Sequence, residues 1–440
     1  MQKIWENFKS QVNQIFYISE LDWLPRMFIL AFITGVIGGL AAVGFNELIQ
    51  FFHWIFYGAQ SRAALLDSIR ALPLAYRLVA PAIGGLIVGP MVTYIIKAAR
   101  GHGVPTVMEA VGLRRGVIPF RVAPYKALLA AITIGSGGSA GQFGPIVHIG
   151  SALGSSIGRF FKLTPERAMI LLAGGAAAGI AGTFNAPMAG VIFSVEIILR
   201  KIKMQTFLPI IIASLTGTVV ANTIYGRTGP VFDISFHPMV SYWDLLFYVG
   251  LGIFTAIVAL IYTNLLYGVQ DLFEKVPVPV ALKAAIGGLM VGGLALLLPE
   301  IKGTGFPIIG SALLGFFPLG LVFALMAGKI LATSLTLGSG GSGGVFGPAL
   351  FIGAMAGSGY GMVAGMVFPE IAVASTSYSM VGMGALFAGA THAPLTAILI
   401  IFELTRDPRT ILPLMMACVI STFIASRVQK TNIYTKKILQ

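Results

Sequence analysis

The chain has 440 residues, of which 56% are hydrophobic and only 10% charged, with a mean hydropathy of +0.88. Soluble globular domains carry about 25% charged residues, so that class is excluded and an all-α polytopic membrane protein is expected. The net charge of +13 is scattered over connecting segments, which fits loops held by the positive-inside rule and gives no nucleic-acid patch. A field of that sign also draws a permeating anion.

Residues 2–20 (QKIWENFKSQVNQIFYISE) form an amphipathic stretch, and the expectation over 1–20 is a helix lying on the membrane surface. Apolar runs at 27–45, 78–96 and 247–267 approach or reach the ~20 residues that span a bilayer. The first starts late, is long and has no small-residue cleavage site after it, so it is not a cleavable signal. Apolar segments then continue to about residue 426 with no linker, and no cytoplasmic regulatory domain is expected in these residues. The single cysteine, Cys418, excludes an intrachain disulfide.

The chain repeats itself. TIGSGGSAGQFGPIVHIGSALGSSIG (133–158) recurs as TLGSGGSGGVFGPALFIGAMAGSGYG (336–361), matching at 15 of 26 positions without a gap. GHGVP (101–105) recurs as GTGFP (303–307), and AGTFNAPMAGVIFSVEIILR (181–200) as AGATHAPLTAILIIFELTR (388–406). Three collinear blocks at offsets of 202, 203 and 207 mark a duplicated half, with repeats over 21–230 and 231–440. The pattern leaves open whether the halves are inverted or parallel. The segment at 168–182 and those beginning at Gly144 and Gly347 read as interrupted by Gly and Pro. Paired interruptions in two halves point to a binding site near the bilayer midplane.

In G-x-F-G-P, proline suits a first helical turn because its missing N–H would be unpaired there. Glycines before it let the backbone turn and approach a ligand closely. The expected product is a helix N-terminus inside the membrane, with free N–H groups that attract an anion. Close helix packing is the competing use of any single glycine. A nucleotide P-loop is excluded, because no Gly-Lys-Ser/Thr follows either stretch. The five histidines (His53, His102, His148, His237, His392) show no metal-ligand spacing and no carboxylates are paired, so neither enzyme chemistry nor a metal is expected. Candidate intramembrane charges are Glu109, Lys126, Glu196, Lys329 and Glu403. Glu196 and Glu403 match between the repeats, which favours a structural role such as capping backbone amides.

GHGVP, GQFGP, GVFGP and the late NIYTKKIL together resemble the motifs of the CLC family of chloride channels and proton-coupled chloride transporters, in order and spacing, over essentially all of 20–440. The resemblance implies two inverted repeats of broken and tilted helices, a homodimer with one pore per subunit, chloride as the ligand without a cofactor, and a bacterial inner membrane as the setting. It implies a central anion site lined by His102, Gly103, the amides of Val345 and Phe346 with Gly347, and the Tyr434 hydroxyl. An outer site would use the amides around Gly141, Gln142, Phe143 and Gly144, and Lys126 matches a basic residue behind the pore. Two departures stand out. The family's gating glutamate falls at Phe143 and the exchangers' internal proton glutamate at Ile197, and neither side chain can carry a proton. A register slip by one residue would put Glu196 at the relay. His102 replaces a filter serine, where it either donates a hydrogen bond to the anion or turns its ring away. The expected function is a passive, uncoupled chloride channel. The alternatives are a proton-coupled antiporter with another proton route and a non-conducting member plugged by Phe143.

Overall fold

The computed structural model describes residues 23–61, 64–96, 101–201, 203–226, 229–232, 244–368 and 375–437, so the expected surface helix at 1–20 lies outside the described residues. Among them the backbone is helical, with no strand and only two isolated β-bridges. The first half runs through α1 (Leu24–Tyr57), α2 (Leu65–Ala71), α3 (Leu74–Pro90), α4 (Val104–Leu113), α5 (Val122–Gly135), α6 (Phe143–Phe160), α7 (Pro165–Phe184), α8 (Pro187–Phe193) and α9 (Met204–Tyr225). The second runs through α10 (Asp244–Lys275), α11 (Val280–Leu297), α12 (Phe306–Leu313), α13 (Leu319–Gly338), α14 (Phe346–Val367), α15 (Ser375–Thr391), α16 (Pro394–Thr405) and α17 (Ile411–Val428). Nine of the described helices are long and apolar enough to cross a membrane, with shorter apolar helices between them. The protein is an integral, multi-pass membrane protein.

Glycine and proline do not interrupt 168–182. That stretch lies inside the unbroken 20-residue α7, and α6 and α14 are unbroken as well. Their glycines serve helix contact instead. A Cβ at Gly150 would overlap the Gly175 carbonyl, one at Gly175 would overlap that of Gly150, and Gly353 and Gly382 mirror the arrangement between α14 and α15. A glycine costs a helix about 1 kcal/mol against alanine, and close backbone approach in the apolar phase offsets it. Asn185 and His392, matched in the repeats, both stop a buried helix in the left-handed conformation, at φ +53 and +55. Polar side chains of this kind tolerate that region better than β-branched ones.

The two halves pair through reciprocal contacts between matched residues. The Ser139 amide donates to the Thr336 hydroxyl and the Ser342 amide to the Thr133 hydroxyl, at 3.0 and 3.2 Å. Gly141 and Gly344 exchange backbone hydrogen bonds of 2.7 and 2.6 Å in an antiparallel bridge. Such exchange is what a local two-fold axis that reverses chain direction produces, and it defines two inverted repeats. The matched carboxylates obey the same symmetry. Glu196 accepts from the amides of Leu395 and Thr396 and from the Thr396 hydroxyl, while Glu403 accepts from the amides of Met188 and Ala189. Each carboxylate thus satisfies orphan donors at the start of the other half's helix, α16 or α8, where the dipole also favours it. The halves differ at one point. Three residues separate Glu196 from the left-handed Arg200, but only two separate Glu403 from Arg406. The extra residue is taken up as a π turn over Ser194–Leu199, which contains Ile197.

Candidate functional site

Three loops meet at the centre of the molecule. The GHGVP loop pairs with the second glycine-rich loop through the Gly101–Ser342 bridge, and the two glycine-rich loops pair through Gly141 and Gly344. Lys126 on α5, fully buried, donates to the Gly101 carbonyl and the Ser342 hydroxyl, tying the first loop to the third. Its counterpart Lys329 on α13 donates to the carbonyls of Ile301 and Gly303 at 2.8 Å each. These buried amino groups therefore satisfy carbonyls that the turns leave without a helical partner. Gly103 holds φ +83 before α4, and a Cβ there would stand 2.7 Å from the Gly144 carbonyl. Only glycine lets the starts of α4 and α6 come this close.

The result is a convergence of helix starts: α4 at Val104, α6 at Phe143 and α14 at Phe346. First-turn amides have no intrahelical partner, so those of Phe143, Gly144, Phe346 and Gly347 are available for an anion. Gly141 is not part of that set, because its N–H is spent on the Gly344 carbonyl. Gln142 is buried and lines two cavities of about 360 and 330 Å³ that share Val231 and Phe306. On another side, a vestibule of about 480 Å³ is lined by Gly101, His102, Gly103, Glu109, Gln270 and Lys437. Glu109 is no buried charge; it pairs with Arg114 at 2.6 Å in a half-exposed position.

The ring of His102 meets Tyr267 edge to face at 6.1 Å, and its buried Nδ1 has no hydrogen-bond partner among the described residues. Tyr434 lies in a run of turns rather than a helix, held by the Asn432 side chain, which accepts from the Tyr434 amide at 2.9 Å. Its hydroxyl is buried and also lacks a partner among the described residues. The carbonyl of Val345, just before α14, accepts from the Tyr262 hydroxyl at 3.3 Å.

Phe143 packs. It is 0% exposed, and its ring stacks on that of Phe346, its repeat partner, with centroids 4.0 Å apart. Phe193 and Phe184 complete its surroundings at 4.8 and 5.6 Å, and Phe387 meets Phe346 at 4.8 Å. Phe184 and Phe306 carry the cluster to the lining of a Gln142 cavity. Ile197 is buried and apolar, and Glu196 beside it is committed to α16. His148, one turn into α6, is fully buried with neither ring nitrogen partnered among the described residues.

Phe184, Phe193 and Tyr262 are not among the residues expected at the site from sequence. A phenylalanine in an apolar run carries no positional signal, whereas Tyr262 is a polar aromatic inside an otherwise apolar spanning helix, a signal that was present.

A family model described as voltage gated chloride channel matches residues 84–426. The chain belongs to the CLC family. A ClcB-like protein of Ralstonia nicotianae is 34% identical over 414 residues, covering 93% of this chain and 96% of the relative. An H(+)/Cl(-) exchange transporter ClcA of Salmonella newport is 32% identical over 427 residues, covering 94% and 88%. Among solved structures, a slow cyanobacterial Cl-/H+ antiporter superposes with a TM-score of 0.84 at 25% identity, covering 94% of this chain and 97% of that one. A CLC-type fluoride/proton antiporter shares the fold at a TM-score of 0.78 and 22% identity, covering 93% and 97%. The CLC members named here are transporters and channels, and the fold of this chain is theirs over nearly its whole length.

Proposed function

We propose that this chain conducts chloride, with similar halides or nitrate, down its gradient without moving protons. The observation that carries the reading is Phe143, a benzyl ring packed into an aromatic stack at the position where the family resemblance puts a gating carboxylate. Proton exchange needs a titratable group that reaches the pore, and phenylalanine neither accepts a proton nor mimics an anion. Ile197 supports the same conclusion at the second proton station. The Glu196 carboxylate holds the Leu395 and Thr396 amides, so a one-residue register shift would assign the relay to a group already serving as a helix cap. Chloride as the ligand draws on relatives named as chloride channel and chloride exchangers, and on the donor set of helix-start amides and hydroxyls, which can replace lost hydration. In this reading the gate is aromatic: Phe143 must leave Phe346 for an anion to pass. No cofactor is required, and we place the protein in a bacterial inner membrane as a homodimer with one pore per subunit.

Proton-coupled exchange is the second reading. It is favoured by His148, whose two buried nitrogens have no partner among the described residues and lie on the helix that starts at the pore, and by the relatives named as exchangers. Purified protein in liposomes under opposing chloride and proton gradients separates the readings. A reversal potential at the chloride Nernst value supports conduction, and one displaced toward the proton potential establishes exchange. Absence of any anion flux shows that Phe143 is a permanent plug.

A further inference from the structure

We propose that Tyr262 supplies a second hydroxyl to the central anion, opposite Tyr434, and so sets how tightly the site holds a small anion; this rests on the reading above that an anion occupies the start of α14. Three phenols neighbour one another here, and Tyr262 is the one that touches that helix start. Tyr267 is committed: its hydroxyl donates to the Ile433 carbonyl at 2.7 Å, fixing the backbone beside Tyr434. Tyr434 is uncommitted, with a buried hydroxyl that has no partner among the described residues. Tyr262 lies between these cases. It is 0% exposed, and its hydroxyl reaches the Val345 carbonyl only at 3.3 Å, long for an O–H···O bond. That carbonyl already accepts from the Ala349 amide at 3.0 Å inside α14. The phenol proton of Tyr262 is therefore weakly spent, one residue from the Phe346 amide and in the electrostatic neighbourhood of Tyr434.

Leaving a buried hydroxyl such as that of Tyr434 unsatisfied is costly, and a neighbouring phenol held only by a long bond can share the acceptor that satisfies it. A small anion fits: it accepts several hydrogen bonds at once, and donors to a charged acceptor are worth more than donors to a carbonyl. On binding, the Tyr262 hydroxyl turns from Val345 to the anion, and the Val345 carbonyl keeps its helical bond. Two phenols and first-turn amides then replace hydration without any cationic side chain in direct contact. Such a cage accommodates a halide and gives no cation with which to pair a carboxylate.

The test compares Tyr262→Phe, Tyr434→Phe and Tyr267→Phe with the wild type, using calorimetric titration of chloride into purified full-length protein. Each Phe variant keeps the ring, and thermal unfolding verifies folding. Loss of one charge-assisted hydrogen bond lowers affinity about tenfold, so Tyr262→Phe and Tyr434→Phe should each weaken binding by that order while Tyr267→Phe changes it least. Unchanged affinity in Tyr262→Phe with weakened Tyr434→Phe overturns the role of Tyr262 and leaves the helix-start site standing. Unchanged affinity in both variants overturns that site as well. Wild-type crystals soaked in bromide give a measurement that needs no variant. An anomalous peak within hydrogen-bond reach of both hydroxyls supports the proposal, and a peak at Tyr434 with Tyr262 still on Val345 refutes it.

Discussion

Replacing Phe143 with alanine tests the aromatic gate directly. The ring loses contacts with Phe346 at 4.0 Å, Phe193 at 4.8 Å and Phe184 at 5.6 Å. Aromatic pairs contribute about 0.5–1.5 kcal/mol each beyond area burial, so the three together hold the closed packing by roughly 1.5–4.5 kcal/mol. A full Phe→Ala change in a core costs about 3–5 kcal/mol, which bounds the same quantity from above. If conduction requires this ring to leave the stack, the wild-type open state lies higher by that amount. Its removal then raises the open population by about tenfold to about a thousandfold, at ~1.4 kcal/mol per factor of ten. The assay is chloride efflux from proteoliposomes, normalised to protein, with the reversal potential measured in the same preparation. The expected outcome is a rise of at least about tenfold in flux, with the reversal potential still at the chloride value. Flux equal to wild type, in a variant that remains monodisperse and anion-binding, would refute the stack as a gate.

Further outcomes follow from the same geometry. Glu196→Ala and Glu403→Ala each leave helix-start amides of the other half unpaired, and each should lower stability by about 1–3 kcal/mol, read as a lower Tm in detergent; neither should introduce proton coupling. Gly144→Ala places a Cβ onto the His102 carbonyl, so α4 and α6 must separate; chloride binding should be lost in calorimetry, and retained affinity would show that these helix starts do not need to converge. Without a pore carboxylate, flux should stay flat across about pH 4 to 7, the range in which such a group titrates. A step within that range would assign gating to a titratable side chain, and His102 and His148 lie close to the helix starts.

Much of this protein was legible in the chain itself. Hydropathy determined the membrane class, because a chain with so little charge has no soluble state in which to bury its apolar surface. Collinear repeats determined the duplication, and G-x-F-G-P determined where helices begin, since proline and glycine act locally on the backbone and need no distant partner. The structural role of Glu196 and Glu403 was likewise expected from their matched places. What local sequence left undecided was how the pieces face one another. Glycines in 168–182 looked like interruptions because their effect depends on the neighbour across the contact: against α6 they permit approach, and the helix continues. Gly141 looked like an anion donor until its partner Gly344, in the other repeat, was in place. The inversion of the halves, the stacking of Phe143 on Phe346 and the gathering of Tyr262, Tyr267 and Tyr434 join residues as many as 215 positions apart. The sequence determined the elements and their doubling; the tertiary structure alone decided that two matched phenylalanines meet on the axis between the halves, because ring stacking and hydrogen-bond exchange are properties of pairs that only the folded chain brings together.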